Sequence, residues 1–297
     1  MRIRLGCELA FQLSYPTPII MMLNVHYSRS ADLEGPDHIT TIPAVPMEGF
    51  RDGFGNWCTR VLAPAGRFAV KVDSIIRDHG EWDAVDETAV QHRVEDLPTD
   101  TLGFLLASRY CESDALSDEA WRLFGNTVPG WARVKAIVDF VHEHIAFNYN
   151  DASATRTAAQ TYAEKRGVCR DFAHLAVAFC RAMNIPARYC TGYISDIGLE
   201  PPFGPGDFAA WIEVYLGGRW HMFDPRNNAP RKGRVLMAFG RDAADVSLTH
   251  TFGSAWLEEF RVWTDEIPEA PAAEAPVVVP QGDAPVLAIA GALAAAG

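Results

Sequence analysis

The chain lacks several features that would narrow its function at once. Its six cysteines, at positions 7, 58, 111, 169, 180 and 190, form no CxxC pair and show no metal-like spacing with histidine. A zinc ribbon and a dithiol redox motif are therefore not expected, and no cofactor is expected either. At 297 residues the chain does not need disulfide staples, so scattered cysteines read as small buried hydrophobes in a reducing compartment. Cytoplasm is the expected location. No apolar run reaches the ~18–20 residues that span a bilayer. Glu8 and Gln12 interrupt the apolar stretch that a secretory signal would need. Positive charge is scarce: 26 Lys and Arg against 38 Asp and Glu leave a net charge of −12. Neither nucleic acid nor a membrane is an expected partner on that balance. Disorder throughout is excluded by 48% hydrophobic and 22% charged residues.

What is present reads first as β structure. From Ile3 to Leu13 the apolar residues Ile3, Leu5, Cys7, Leu9, Phe11 and Leu13 take odd positions, while Arg2, Arg4, Glu8 and Gln12 take even ones. That period of two predicts a half-buried strand. Phe68, Val70 and Val72 alternate in the same way with Arg67, Lys71 and Asp73. Pro16, Pro18, Pro43 and Pro46 cut the region into short strands, and Asp52-Gly53-Phe54-Gly55-Asn56 spells a turn before Trp57. An antiparallel sheet or small sandwich is expected over the first ~80 residues, which contain no βαβ pattern.

Helical spacing begins after about residue 115. Trp131, Val134, Ile137, Val138, Val141 and Ile145 form one stripe behind Pro129, which suits a first helical turn. His142 and His144 do not face each other on such a helix. A second helix is predicted over 169–183, with Phe172, Ala176, Phe179, Cys180 and Met183 on one side, ending before Pro186. Strands then return: 187–194, and a hairpin of 211–216 and 219–224 around Gly217-Gly218. Past Ile267 the composition collapses to Pro, Ala, Glu and Val, which reads as a disordered tail.

One cysteine stands apart. Cys169, in Gly167-Val168-Cys169-Arg170-Asp171-Phe172, falls at the first turn of a predicted helix. Free N–H groups and the positive end of the dipole favour a thiolate there and could hold an oxyanion, and Arg170 adds a neighbouring cation. An activated nucleophile is one reading and a buried structural cysteine is the other. The hairpin adds a geometric test. With Gly217-Gly218 as the turn, Leu216 pairs with Arg219, Val214 with His221 and Trp211 with Asp224. Asp224 then shares a face with Trp211 and Ala209, and a histidine at 209 would lie about 7–8 Å from it. Position 209 is alanine. By parity His221 lies on the opposite face, where it is expected to meet solvent.

Residues 167–175 (GVCRDFAHL), 184–189 (NIPARY), 191–193 (TGY), 210–215 (AWIEVY) and 220–225 (WHMFDP) closely resemble the bacterial transglutaminase-like superfamily. The turn at 52–56 resembles that of the β-rich region that often precedes such a core. The resemblance implies an α+β fold with three parts. These are a β-rich N-terminal domain over 1–110, a papain-like transglutaminase core over 111–267 with helices packed on an antiparallel sheet, and a tail over 268–297. It implies acyl transfer by a Cys-His-Asp triad, as a transglutaminase, peptidase or amidase. Carried over, Cys169 is the nucleophile and Asp224 the orienter. The family's histidine belongs just before Ala210-Trp211, where this chain has Ala209.

Other histidines are weighed against that gap. His174 turns away from Cys169 on the same helix and reads as a packing residue. His250 would have to approach from outside the local motif, and His221 would need a change of register. Between Arg219 and Arg241 six basic residues face one acid, Asp224. Such a segment would attract an acidic peptide, or simply neutralise the acidic N-terminal region. Two function classes follow. One is a Cys169 thioester enzyme acting on peptide or side-chain amides with an incomplete triad. The other is a catalytically impaired relative that binds peptides or scaffolds assembly.

Overall fold

The computed structural model describes residues 1–268; the Ala- and Pro-rich tail read from the composition lies outside the described residues. The N-terminal third builds β1 (Arg2–Leu13), β2 (Thr17–Met21), β3 (Thr40–Ile42), β4 (Met47–Arg51), β5 (Trp57–Ala63) and β6 (Gly66–Arg77). Helices α1 (Ser117–Phe124) and α2 (Trp131–His144) follow, then β7 (Ala146–Phe147), α3 (Ala158–Glu164), β8 (Arg166–Gly167) and α4 (Cys169–Ala182). The remaining strands are β9 (Ala187–Tyr193), β10 (Phe208–Leu216), β11 (Arg219–Phe223), β12 (Val235–Gly240), β13 (Thr249–Thr251) and β14 (Ala255–Ile267).

The fold is α+β, with antiparallel N-terminal sheets followed by helices packed on an antiparallel sheet. Two four-stranded sheets, ordered β14-β1-β6-β3 and β13-β2-β5-β4, enclose one core. Period-two sequence places Ile3, Leu5, Cys7, Leu9, Phe11 and Leu13 inside it, opposite Phe68, Val70 and Val72. The end of the described chain returns to this region, because β14 pairs along the whole of β1 from Arg2–Ile267 to Leu13–Ala255. The expected turn forms as read. The Asp52 carboxylate accepts the N–H groups of Phe54 and Asn56, each at 2.9 Å.

A second core lies between the helices and the sheet β11-β10-β9-β12. Helix α4 sits at its centre and is buried on every side from Asp171 to Arg181. The sequence stripe on this helix is therefore incomplete. Small residues (Ala173, Ala178) fill the other faces and let neighbouring elements approach closely. Burying Phe172 and Phe179 from water favours the fold by about 1.5–3 kcal/mol each. Helix α2 starts two residues after Pro129. Gly130, at φ 103°, reverses the chain so that the Trp131 N–H donates to the Ala89 carbonyl at 3.0 Å. A side chain at 130 would meet that carbonyl at 2.5 Å. No helix among the described residues is long and apolar enough to cross a membrane.

Candidate active site

The loop entering α4 is held by the helix's own third residue. Asp171 Oδ2 accepts the Val168 N–H at 2.8 Å and forms a buried pair with Arg156 at 3.2 Å. Gly167 is required here, since an added Cβ would stand 2.4 Å from Asp171 Oδ2 and 2.6 Å from its Cβ. Cys169 follows as the first helical residue, where backbone N–H groups have no partner within the helix. Of the six cysteines it alone is part-exposed; the other five are buried and free. Cys180, one face deeper on α4, is core.

Cys169 opens into a cavity of about 160 Å³ whose walls include Tyr149, Asp207, Ala209, Ala210, Arg226 and Asn227. Backbone N–H groups of Ala210 and Arg170 face the sulfur and favour its charged form. They are outweighed. Burial, then the carboxylates of Asp207 and Asp224, push the thiol up to about 11. The thiolate expected from the helix dipole is therefore not the resting state. Arg170 does not supply the missing cation, because its guanidinium reaches toward the Tyr110 ring at 5.9 Å.

The hairpin register is as read for Leu216 with Arg219 and Val214 with His221, and Ile212 pairs with Phe223; β11 ends there, so the expected pair of Trp211 with Asp224 lies outside the ladder. Strand β10 begins three residues earlier than expected, at Phe208, so Ala209 is inside it. Ala209 reaches the Cys169 cavity and Asp224 does not. Asp224 instead forms part of the wall of a neighbouring groove of about 540 Å³, floored by Trp131, Val138 and Phe223. Its carboxylate is fully engaged. Oδ1 accepts the Asn227 N–H at 2.9 Å, and Oδ2 accepts Asn227 Nδ2 at 2.8 Å and Arg234 at 2.9 Å. Burial opposes the charge, but the Arg234 guanidinium and the Asn227 hydrogen bonds hold the carboxyl below its ordinary value. Asn227, in turn, accepts from Arg231 at 3.0 Å and from Arg226 at the cavity lip.

The histidines stand elsewhere. His174 is buried, accepts the Ala243 N–H at Nε2 and stacks on Tyr110, as its place on the helix implied. His250 lies exposed on β13, paired opposite Ile20 of β2. His221 is not solvent-facing: it is 5% exposed and meets Trp131 edge-on, because that face of β11 packs under α2. His142 bonds to the carbonyl of Arg226 at 3.0 Å and His144 to that of Tyr162 at 2.8 Å. Among the described residues no three His, Cys, Asp or Glu side chains gather so as to hold a metal ion.

Most of the basic segment is already paired. Arg219 meets Asp86, Arg231 meets Asp196, Arg234 meets Asp83 and Asp224, and Arg241 meets Asp245, all within 2.8–3.2 Å. Lys232 lies over Trp82, and Arg226 stands over Phe147 beside the cavity. What sequence reading missed is Asp207. The period-two rule, extended one step before β10, puts it on the same side as Ala209. Tyr149 was out of reach, since it comes from the loop after β7.

A cysteine on the first turn of a buried helix, flanked by a sheet whose Ala210 N–H faces the sulfur, defines a papain-like class of architecture. The comparisons specify it further. Residues 122–225 match the family described as "Transglutaminase-like superfamily". A protein of Cytophaga hutchinsonii, described as a "putative cysteine protease", superposes with a TM-score of 0.78 at 30% identity, covering 91% of this chain and 93% of that one. The chain belongs to the transglutaminase-like superfamily. An uncharacterized protein of Mycobacterium leprae is 38% identical over 85 residues, 28% of this chain and 30% of that protein. One from Mycobacterium tuberculosis H37Rv is 33% identical over 114 residues, 34% of this chain and 35% of that protein. The chain thus matches only about a third of the length of these curated relatives.

Proposed function

We propose that the protein is a cysteine-dependent acyl transferase or amidase that forms a thioester at Cys169 with the acyl group of a peptide or side-chain amide. The observation that carries this reading is the place of Cys169: part-exposed at the start of α4, at a cavity, with the N–H groups of Ala210 and Arg170 aimed at the sulfur. The same N–H groups suit the oxyanion formed when the sulfur attacks a carbonyl. The likeness to a protein described as a cysteine protease supports it.

The triad is incomplete. Ala209 stands where the family resemblance calls for histidine, and Asp224 acts as a positioning residue rather than an imidazole partner. It anchors Asn227, and Asn227 holds Arg226 and Arg231. Losing a general acid–base group typically costs about 10²–10⁴-fold in rate, so turnover is slow. A second reading, a peptide-binding or assembly module, draws support from the raised thiol and the fully engaged Asp224.

Intact-mass measurement after incubation with p-nitrophenyl acetate at pH 9 separates the two. The enzyme reading expects one acetyl adduct, mapped to Cys169 and lost in Cys169→Ala. A folded protein that gives no adduct there, even at high pH, is the binding module.

A further inference from the structure

We infer that Asp207 is the proton-transfer residue of this site, taking the thiol proton of Cys169 and delivering it to the leaving amine. The inference rests on the reading of Cys169 as nucleophile. Asp207 is the residue before β10, and its carboxyl shares the cavity with the sulfur. Its charge acts on that sulfur more strongly than the charge of Asp224 does. Asp224 cannot take the role without breaking its bonds to Asn227 and Arg234. No histidine is among the residues that form the cavity.

The groups around Asp207 fit a carboxyl that changes protonation. The Tyr149 hydroxyl, from the loop after β7, the Phe208 N–H and Arg226, from the segment after β11, each favour its charged form. Asp196 and Arg231, ion-paired with each other, complete the charged groups of the cavity. Burial outweighs the three favourable neighbours and holds the Asp207 carboxyl above its ordinary value, which moves it toward the range useful for proton transfer.

The step balances. As the S–C bond forms, the thiol proton passes to the Asp207 carboxylate, and the carbonyl π pair becomes the oxyanion beside the N–H groups of Ala210 and Arg170. Asp207 then gives that proton to the nitrogen as the C–N bond breaks, leaving the thioester and a neutral amine. Water or an acceptor amine attacks the thioester with Asp207 as base. The acyl product leaves, and the returned proton restores the thiol.

Asp207→Asn tests this with substrates that differ in the need for a leaving-group proton. A p-nitrophenyl ester expels an anion that needs none, whereas a peptide anilide expels an amine that does. Removing the charge beside the sulfur lowers the thiol pKa, so iodoacetamide labelling of Cys169 at pH 8, which uses the thiolate already present, rises. Ester acylation loses its base but needs no leaving-group proton, so it falls less than anilide turnover, which drops by about 10²–10⁴-fold. Faster labelling beside slower anilide turnover is the expected result. Ester and anilide activity rising together, or anilide turnover unchanged, overturns the role of Asp207 while leaving the nucleophile intact. No acylation by the ester in the native protein overturns the nucleophile instead. Should Asp207→Asn fail to fold, Tyr149→Phe serves. Losing the hydroxyl that favours the carboxylate raises the Asp207 pKa, so the acid limb of the anilide profile moves to higher pH. An unmoved limb counts against the proposal.

Discussion

Asn227 donates twice to Asp224, through its backbone N–H at 2.9 Å to Oδ1 and through Nδ2 at 2.8 Å to Oδ2. The carboxylate that an imidazole would need as its partner is thereby engaged by an amide. Asn227 lines the Cys169 cavity and Asp224 lies behind it.

Restoring the missing histidine alone is therefore expected to give little. In Ala209→His the new imidazole reaches the cavity but finds the Asp224 oxygens occupied. Pairing Ala209→His with Asn227→Gly removes one of the two bonds to Oδ2, which can then orient the ring. Amide turnover in the double variant should exceed that of Ala209→His by about tenfold or more, since an orienter fixes tautomer and geometry. Equal rates would show that Asn227 does not block the site. Steady-state anilide assays of the four proteins measure this.

Iodoacetamide labelling of native Cys169 should be slow at pH 7 and climb about tenfold per pH unit toward pH 11. Burial and the Asp207 and Asp224 carboxylates hold the thiol near about 11. The other five cysteines, being buried, should label only on unfolding. A labelling midpoint near neutrality at Cys169 would mean that the site contains a cation the geometry does not provide. Peptide-level mass spectrometry reads both results.

Arg234→Met leaves Asp224 buried without its cation, and Asp224 and Arg234 are only 3% and 2% exposed at their side chains. The expected loss is about 3–5 kcal/mol in urea unfolding. Asp224→Asn in the same background should recover part of it. The native carboxyl is depressed, so its stabilising contribution is present above the ordinary carboxylate pKa of about 4 and disappears as pH falls through the lower folded value. In Asp224→Asn that acid-limb dependence should weaken. An unchanged acid limb would place the pairing energy elsewhere.

Gly167→Ala drives a methyl group into the Asp171 carboxylate that caps α4. Overpacking of this kind costs about 1–3 kcal/mol. It should also displace Cys169, lowering ester acylation in protein that remains folded by circular dichroism. Normal acylation with normal stability would show that the Asp171 cap is not what positions the sulfur.

Much of this was legible in residue order. Alternation over 3–13 and 67–73 wrote the N-terminal strands because a half-buried strand has to repeat every two residues. Gly217-Gly218 fixed the hairpin register, since two positive-φ residues, φ 55° and 83°, close a two-residue turn. That register correctly paired His221 with Val214. It erred on what covers the face of His221, because α2 packs over it and no local pattern announces a tertiary neighbour. The proton state of Cys169 was hidden for the same reason: the helix start favours a thiolate, whereas burial and two carboxylates oppose it.

Sequence by itself determined the first strands, the helices α2 and α4, the hairpin, the family and the placing of a cysteine at a helix start, because periodicity, turn residues and motif spacing are local properties. Only the tertiary structure decided that Asp207 shares the cavity with the sulfur and that Asn227 and Arg234 occupy Asp224. Desolvation and hydrogen-bond competition depend on which atoms meet in space, and the cavity's atoms come from segments as much as 84 residues apart, Phe147 to Arg231.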